Sequence, residues 1–229
     1  MVKRLLLGIG WCVGLASTAT AQGTVTGQIT IRERDNVPAA DLVNAVIYLQ
    51  PIAAGRSDAG RIADTTPAEV ALQGRTFLPR VRVVQAGSRV TFPNRDSFNH
   101  NVFSNTGTAE FDLGVYGRGA SREATFPKGG VYPVYCNVHA RMIGYVVALE
   151  TPHFTQPGID GRFSLERVPA GRYRLVAWHE RTPIVAREVV VTARGLDVAN
   201  LELDASGYKR VQHKNKFGKD YASKRGDRY

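Results

Sequence analysis

Apolar and polar residues alternate with a period of two over most of the chain, the signature of strands with one buried face. The pattern is clear in "TVTGQITIRE" and in the apolar β-branched run "NAVIYLQP". It returns in "RVRVVQAGSRVTFPN", "REATFPKGGVYPVYC" and "IGYVVALE", and again in "RFSLERV", "GRYRLVAWH", "AREVVVTA" and "DVANLEL". Gly87, Gly129 and Gly130 stand where antiparallel strands would turn. No stretch carries the period of an amphipathic helix. The pattern predicts an all-β chain built as two sandwiches. A Gly/Ala/Asp/Pro-rich stretch over residues 53–68 reads as a linker, and "TPHFTQPGIDGR" as a loop.

Residues 161–204 hold about four strands, too few to bury a stable core alone. The N-terminal strands at 24–32 and 44–50 can complete them, so the middle of the chain reads as an insertion into one sandwich. The expected division is 22–54 with 156–205 in one unit, 66–151 in the other, and 206–229 as a basic tail without fixed structure. The split unit resembles the carboxypeptidase regulatory-like domain, a transthyretin-type sandwich. The resemblance rests on "GQITIRERDNVPAADLVNAVIYLQP" joined to "GIDGRFSLERVPAGRYRLVAWHE", with Asp160, Gly161, Phe163, Pro169, Gly171 and Tyr173 on the family pattern. It implies a sandwich and no particular chemistry.

The first 21 residues change the cysteine arithmetic. Lys3 and Arg4 precede the apolar run "LLLGIGWCVGLA", and Ala19 and Ala21 make a small-x-small cleavage site. The run is too short to span a bilayer. The expectation is a signal peptide at 1–21, cut after Ala21, and export to a periplasm or cell surface. Cleavage leaves 208 of the 229 residues and no transmembrane span. Of two Cys and two Met, Cys12 and Met1 would be removed. Cys136 and Met142 remain, and Cys136 has no disulfide partner in an oxidising compartment. The formal net charge of +10 is uneven, because residues 207–229 carry eight Lys/Arg against two Asp. An exported basic tail suits anionic envelope polymers or lipids better than nucleic acid.

The single Cys and single Met lie together in "YCNVHARMIGYVV", with His139 between them. A lone thiolate, two imidazoles and a weak thioether define a trigonal copper site with a long axial ligand. Cys136, His139 and Met142 supply three of these, and His100, just after the strand-like "RVTF", supplies the fourth. Zinc is a poorer match, because a thioether is a poor zinc ligand. A nucleophilic Cys–His pair would leave Met142 unexplained. A binuclear copper centre needs a second Cys, and multicopper oxidases use His-x-His pairs that are absent here. His153 and His179 could build a second metal site, but strand and loop surface suits them better.

Residues 69–151 resemble a cupredoxin: plastocyanin, and amicyanin in the short ligand loop. The matching residues are Asn94, Asp96, His100, Asn101, Cys136, His139 and Met142. The resemblance implies one mononuclear type 1 (blue) copper, with His100 and His139 bound through imidazole nitrogen, Cys136 as thiolate and Met142 axially. Asn101 would brace the two ligand loops by hydrogen bonds. Ala140 and Arg141 stand where the amicyanin-like loop carries an apolar pair. The expected function is single-electron transfer, not enzymatic catalysis, with a cytochrome, oxidase or dehydrogenase as partner. Arg141 and the tail point to an acidic partner. The rivals are an envelope-binding structural module and a copper delivery or storage protein.

Overall fold

The computed structural model describes residues 22–34, 37, 39–52, 68–105 and 110–221. The expected signal peptide and nearly all of the 53–68 stretch lie outside them. The described chain begins with β1 (Gln22–Arg32) and β2 (Val46–Pro51), with a 3-10 turn at Leu42–Asn44 between them. The middle runs through β3 (Ala68–Glu69), β4 (Ala71–Gln73), β5 (Thr76–Leu78), β6 (Val81–Gln85), β7 (Ser88–Pro93) and β8 (His100–Ser104). It continues through β9 (Phe111–Tyr116), β10 (Ser121–Phe126), β11 (Gly130–Cys136) and β12 (Ile143–Leu149). The last strands are β13 (Phe154–Thr155), β14 (Arg162–Pro169), β15 (Gly171–Trp178), β16 (Val185–Val191) and β17 (Leu196–Asp204). The all-β reading holds, and every stretch read as a strand from its alternation contains one. Among the described residues no helix is long and apolar enough to cross a membrane.

Two sheets draw on both ends of the chain. One has the order β14-β1-β17, the other β13-β2-β15-β16. Their inward residues form one core, including Ile29, Leu49, Phe163, Tyr173, Leu175 and Leu203. At the turn into β14, Gly161 has φ +78°, and a Cβ there would sit 2.2 Å from the Ile29 carbonyl oxygen. Only glycine meets both demands. The middle of the chain forms its own sheets, β6-β12-β11-β8-β9 and β10-β7-β3, with a β4–β5 hairpin beside them. They enclose a second core that includes Phe77, Phe92, Phe126 and Tyr132. A third cluster joins the two: Val46 and Trp178 from the split sandwich meet Val81, Val147 and Leu149 from the middle. Arg80 and Glu180 bridge the same boundary through paired bonds of 2.6 and 2.8 Å.

Three local readings change. The loop-like "TPHFTQPGIDGR" contains β13, which pairs with β2. His100, expected in a loop after a strand, is the first residue of β8. The tail, expected to be solvated throughout, packs on the protein as far as Tyr221; residues 222–229 lie outside the described residues.

Candidate metal centre

Strand register builds the site. β8 and β11 are antiparallel neighbours, with Tyr135 opposite Phe103 and Cys136 opposite Val102. Cys136 ends β11 just as His100 begins β8, so both reach the same end of the five-stranded sheet. β11 also pairs with β12, with Tyr135 opposite Ile143. That pairing leaves Cys136–Met142 as the connecting loop. The loop closes on itself: the Cys136 amide donates to the Met142 carbonyl at 3.1 Å, and the Met142 amide to the His139 carbonyl at 3.0 Å.

His100, Cys136 and His139 thus come together, with one candidate ligand atom from each within 4.8 Å of the others. Cys136 Sγ is 3.6 Å from His100 Nδ1 and 3.5 Å from His139 Nδ1. Cys136 and His100 are fully buried. Met142 is buried in the same core cluster as Cys136. Phe98 covers both imidazoles, with ring centroids 5.2 Å from His100 and 5.5 Å from His139.

Burial pushes the Cys136 thiol above its ordinary pKa, and backbone N–H groups of Asn101, Val138 and His139 aimed at the sulfur work against that. Burial disfavours the thiolate and the N–H dipoles favour it. A soft cation would complete the balance, since a coordinating thiol is deprotonated outright. The set of one sulfur and two imidazole nitrogens, facing inward at these spacings, fits a copper ion.

Asp96 carries a role that its sequence position did not reveal. Its Oδ2 lies 2.8 Å from His100 Nε2. A carboxylate there holds the proton on Nε2 and leaves the Nδ1 lone pair facing Cys136. Asp96 is held in turn by a two-residue turn. Gly74 and Arg75, with φ of 62° and 59°, link β4 to β5 and donate their amides at 2.7 and 3.1 Å. Burial alone would raise the Asp96 carboxyl, but those two amides and His100 hold it below its ordinary value. Asn94 accepts from the Asp96 amide at 2.9 Å and donates to the carbonyls of Phe98 and Tyr116.

Asn101, expected to brace the two ligand loops, reaches across with its main chain and its side chain. Its backbone N–H faces the Cys136 sulfur, while its side chain donates to Asp112 Oδ1 at 2.6 Å. Of the remaining histidines, His179 is buried near Asp41, at 3.6 Å from Nε2 to Oδ2, and His153 packs edge-on against Tyr173. Neither belongs to a metal-ligand group among the described residues.

No family model matches the chain. A search of curated proteins finds no match. Among solved structures the matches include cupredoxins. A purple cupredoxin from Nitrosopumilus maritimus is 26% identical over 35% of this chain and 98% of its own, with a TM-score of 0.33. The reduced state of an amicyanin variant is 26% identical over 37% of this chain and 83% of its own, with a TM-score of 0.34. The Cu(I) form of another amicyanin variant is 23% identical over 46% and 98%, with a TM-score of 0.35.

Proposed function

We propose that the protein is an exported electron carrier with one mononuclear type 1 copper, which His100, Cys136, His139 and Met142 would hold. The observation that carries the reading is the buried Cys136 sulfur, with two imidazole Nδ1 atoms at 3.5 and 3.6 Å. Bound there, copper would cycle between Cu(II) and Cu(I), taking up and giving up one electron. Asp96 fixes the His100 ring, and the closed Cys136–Met142 loop limits how far its ligands can move between the two states. A site that moves little reorganises little, which is what fast electron exchange needs. The partner proposed is an acidic redox protein, because Arg141 is exposed in the ligand loop. Charge of this kind mainly raises the encounter rate and is screened by salt.

Purified protein given Cu(II) is expected to develop an intense visible band from thiolate-to-copper charge transfer. Cys136→Ser should abolish it, and His100→Ala or His139→Ala should disrupt it. Met142→Leu should keep the colour and raise the potential, because the axial ligand tunes it. A colourless wild type holding stoichiometric copper would remove the type 1 reading. Colour without reversible electron exchange would favour delivery or storage. Exchange rates indifferent to salt would remove the acidic partner.

A further inference from the structure

The described residues 206–221 belong to no strand and to none of the three cores, which reach no further than Ala205. They nevertheless pack against the cysteine side of the metal loop. Asn215 ties them into a compact turn: its side chain accepts the amides of Phe217 and Lys219, and its own amide donates to the Lys219 carbonyl. From that turn three contacts reach the site. The Tyr221 hydroxyl donates to the Cys136 carbonyl at 2.8 Å. The Lys216 amide donates to the Asn137 side chain at 2.9 Å, and its ammonium pairs with Asp112, the carboxylate that also holds Asn101. The His213 ring lies 4.6 Å from that of Tyr135, the residue before Cys136.

We propose that residues 213–221 are a clamp that positions the cysteine side of the metal loop, with Tyr221 and Lys216 as positioning residues. This rests on the copper reading above only for what the clamp serves, not for its existence. Exposed loops open at a small free-energy cost compared with strands in a core. The clamp fastens Cys136 and Asn137 from outside and, through Asp112, ties them to β8, which carries His100. Both halves of the ligand set are thereby fixed to one element that the strands themselves do not require. The His213 ring also faces the backbone of His139 and Met142, so the clamp reaches along the loop to its far end.

Two readouts test this, one of them without metal. In metal-free protein, the rate at which Cys136 reacts with a disulfide reagent reports how often the loop opens. Ending the chain at Lys209 should raise that rate at least about 10-fold, and Tyr221→Phe in the full chain by about 2–10-fold, the range of a single hydrogen bond. In copper-loaded protein, the same variants should speed release of Cu(I) to a chelator by similar factors and broaden the thiolate band. An unchanged thermal melting profile would confirm that the cores remain. Rates within twofold of wild type in both assays would overturn the clamp. An opened thiol in a protein that takes up no copper would uphold the clamp and remove the copper reading. Copper uptake with unchanged rates would do the reverse.

Discussion

At the residue scale, what is legible in the sequence is set by rarity. A chain with one expected mature Cys and one Met draws attention to the turn that holds both. Asp96 stands among the cupredoxin-like residues of the sequence, but its role and that of Asp112 are not legible there. Asp96 and Asp112 are two of many carboxylates, and their roles depend on which N–H groups the fold delivers to them. Asp96 owes its place to the Gly74–Arg75 turn, more than twenty residues upstream, whose positive φ angles aim two amides at one carboxylate. Asp96→Asn should therefore weaken copper binding by about 10–100-fold, as for other carboxylates that orient a ligating imidazole. It should also raise the reduction potential, because a negative charge beside the site favours the more positive ion. Competitive titration and voltammetry check both. An affinity within twofold of wild type, with no shift in potential, would assign Asp96 to the loop alone.

At the element scale, alternation reveals the long strands and misses the short or fully buried ones. β8 reads "HNVFS", and all five residues are buried, so no polar face marks it as a strand. β13 is two residues long and exists because β2 offers it an edge. Loops are fixed by charges that no period encodes. The segment before β2 is pinned to the turn after β15 by Arg181, which pairs with Glu33 and Asp41. His179, 3.6 Å from Asp41, and Arg181, 2.6 Å away, lower the Asp41 carboxyl to about 2 against burial that raises it. A carboxyl whose pKa is lower folded than unfolded stabilises the fold fully above its unfolded value, near 3.8, and loses that contribution as pH falls toward 2. Acid melts of wild type and Asp41→Asn should converge over that window, the variant being the less stable above it. Parallel curves from pH 5 to pH 2 would show that Asp41 contributes no pH-dependent stability.

At the scale of the whole molecule, the chain leaves the split sandwich and returns to it at one place. Phe154 pairs with Tyr48, and the Leu49 amide bonds to the His153 carbonyl at 2.9 Å, so the ends of the middle segment lie side by side. β1 lies between β14 and β17, and β2 between β13 and β15, so neither sheet of that sandwich is complete without the N-terminal strands. The shortage of strands in the C-terminal part was legible in the sequence. The apolar seam of Val46, Trp178, Val147 and Leu149 was not, because each residue reads simply as core. We expect the middle to be a separable insertion. Replacing residues 53–151 with a short Gly/Ser linker should leave a cooperatively melting domain, less stable than the parent because the seam is exposed. Trp178 is the single Trp after residue 21, and it is buried against the seam, so its emission should shift to the red in that variant. Residues 152–206 alone should be unfolded, since β14 and β17 lose the strand that joins them. A cooperative melt from 152–206, or Trp178 emission unmoved by the deletion, would mean that the C-terminal strands form a unit of their own and that the seam does not hold the two parts together.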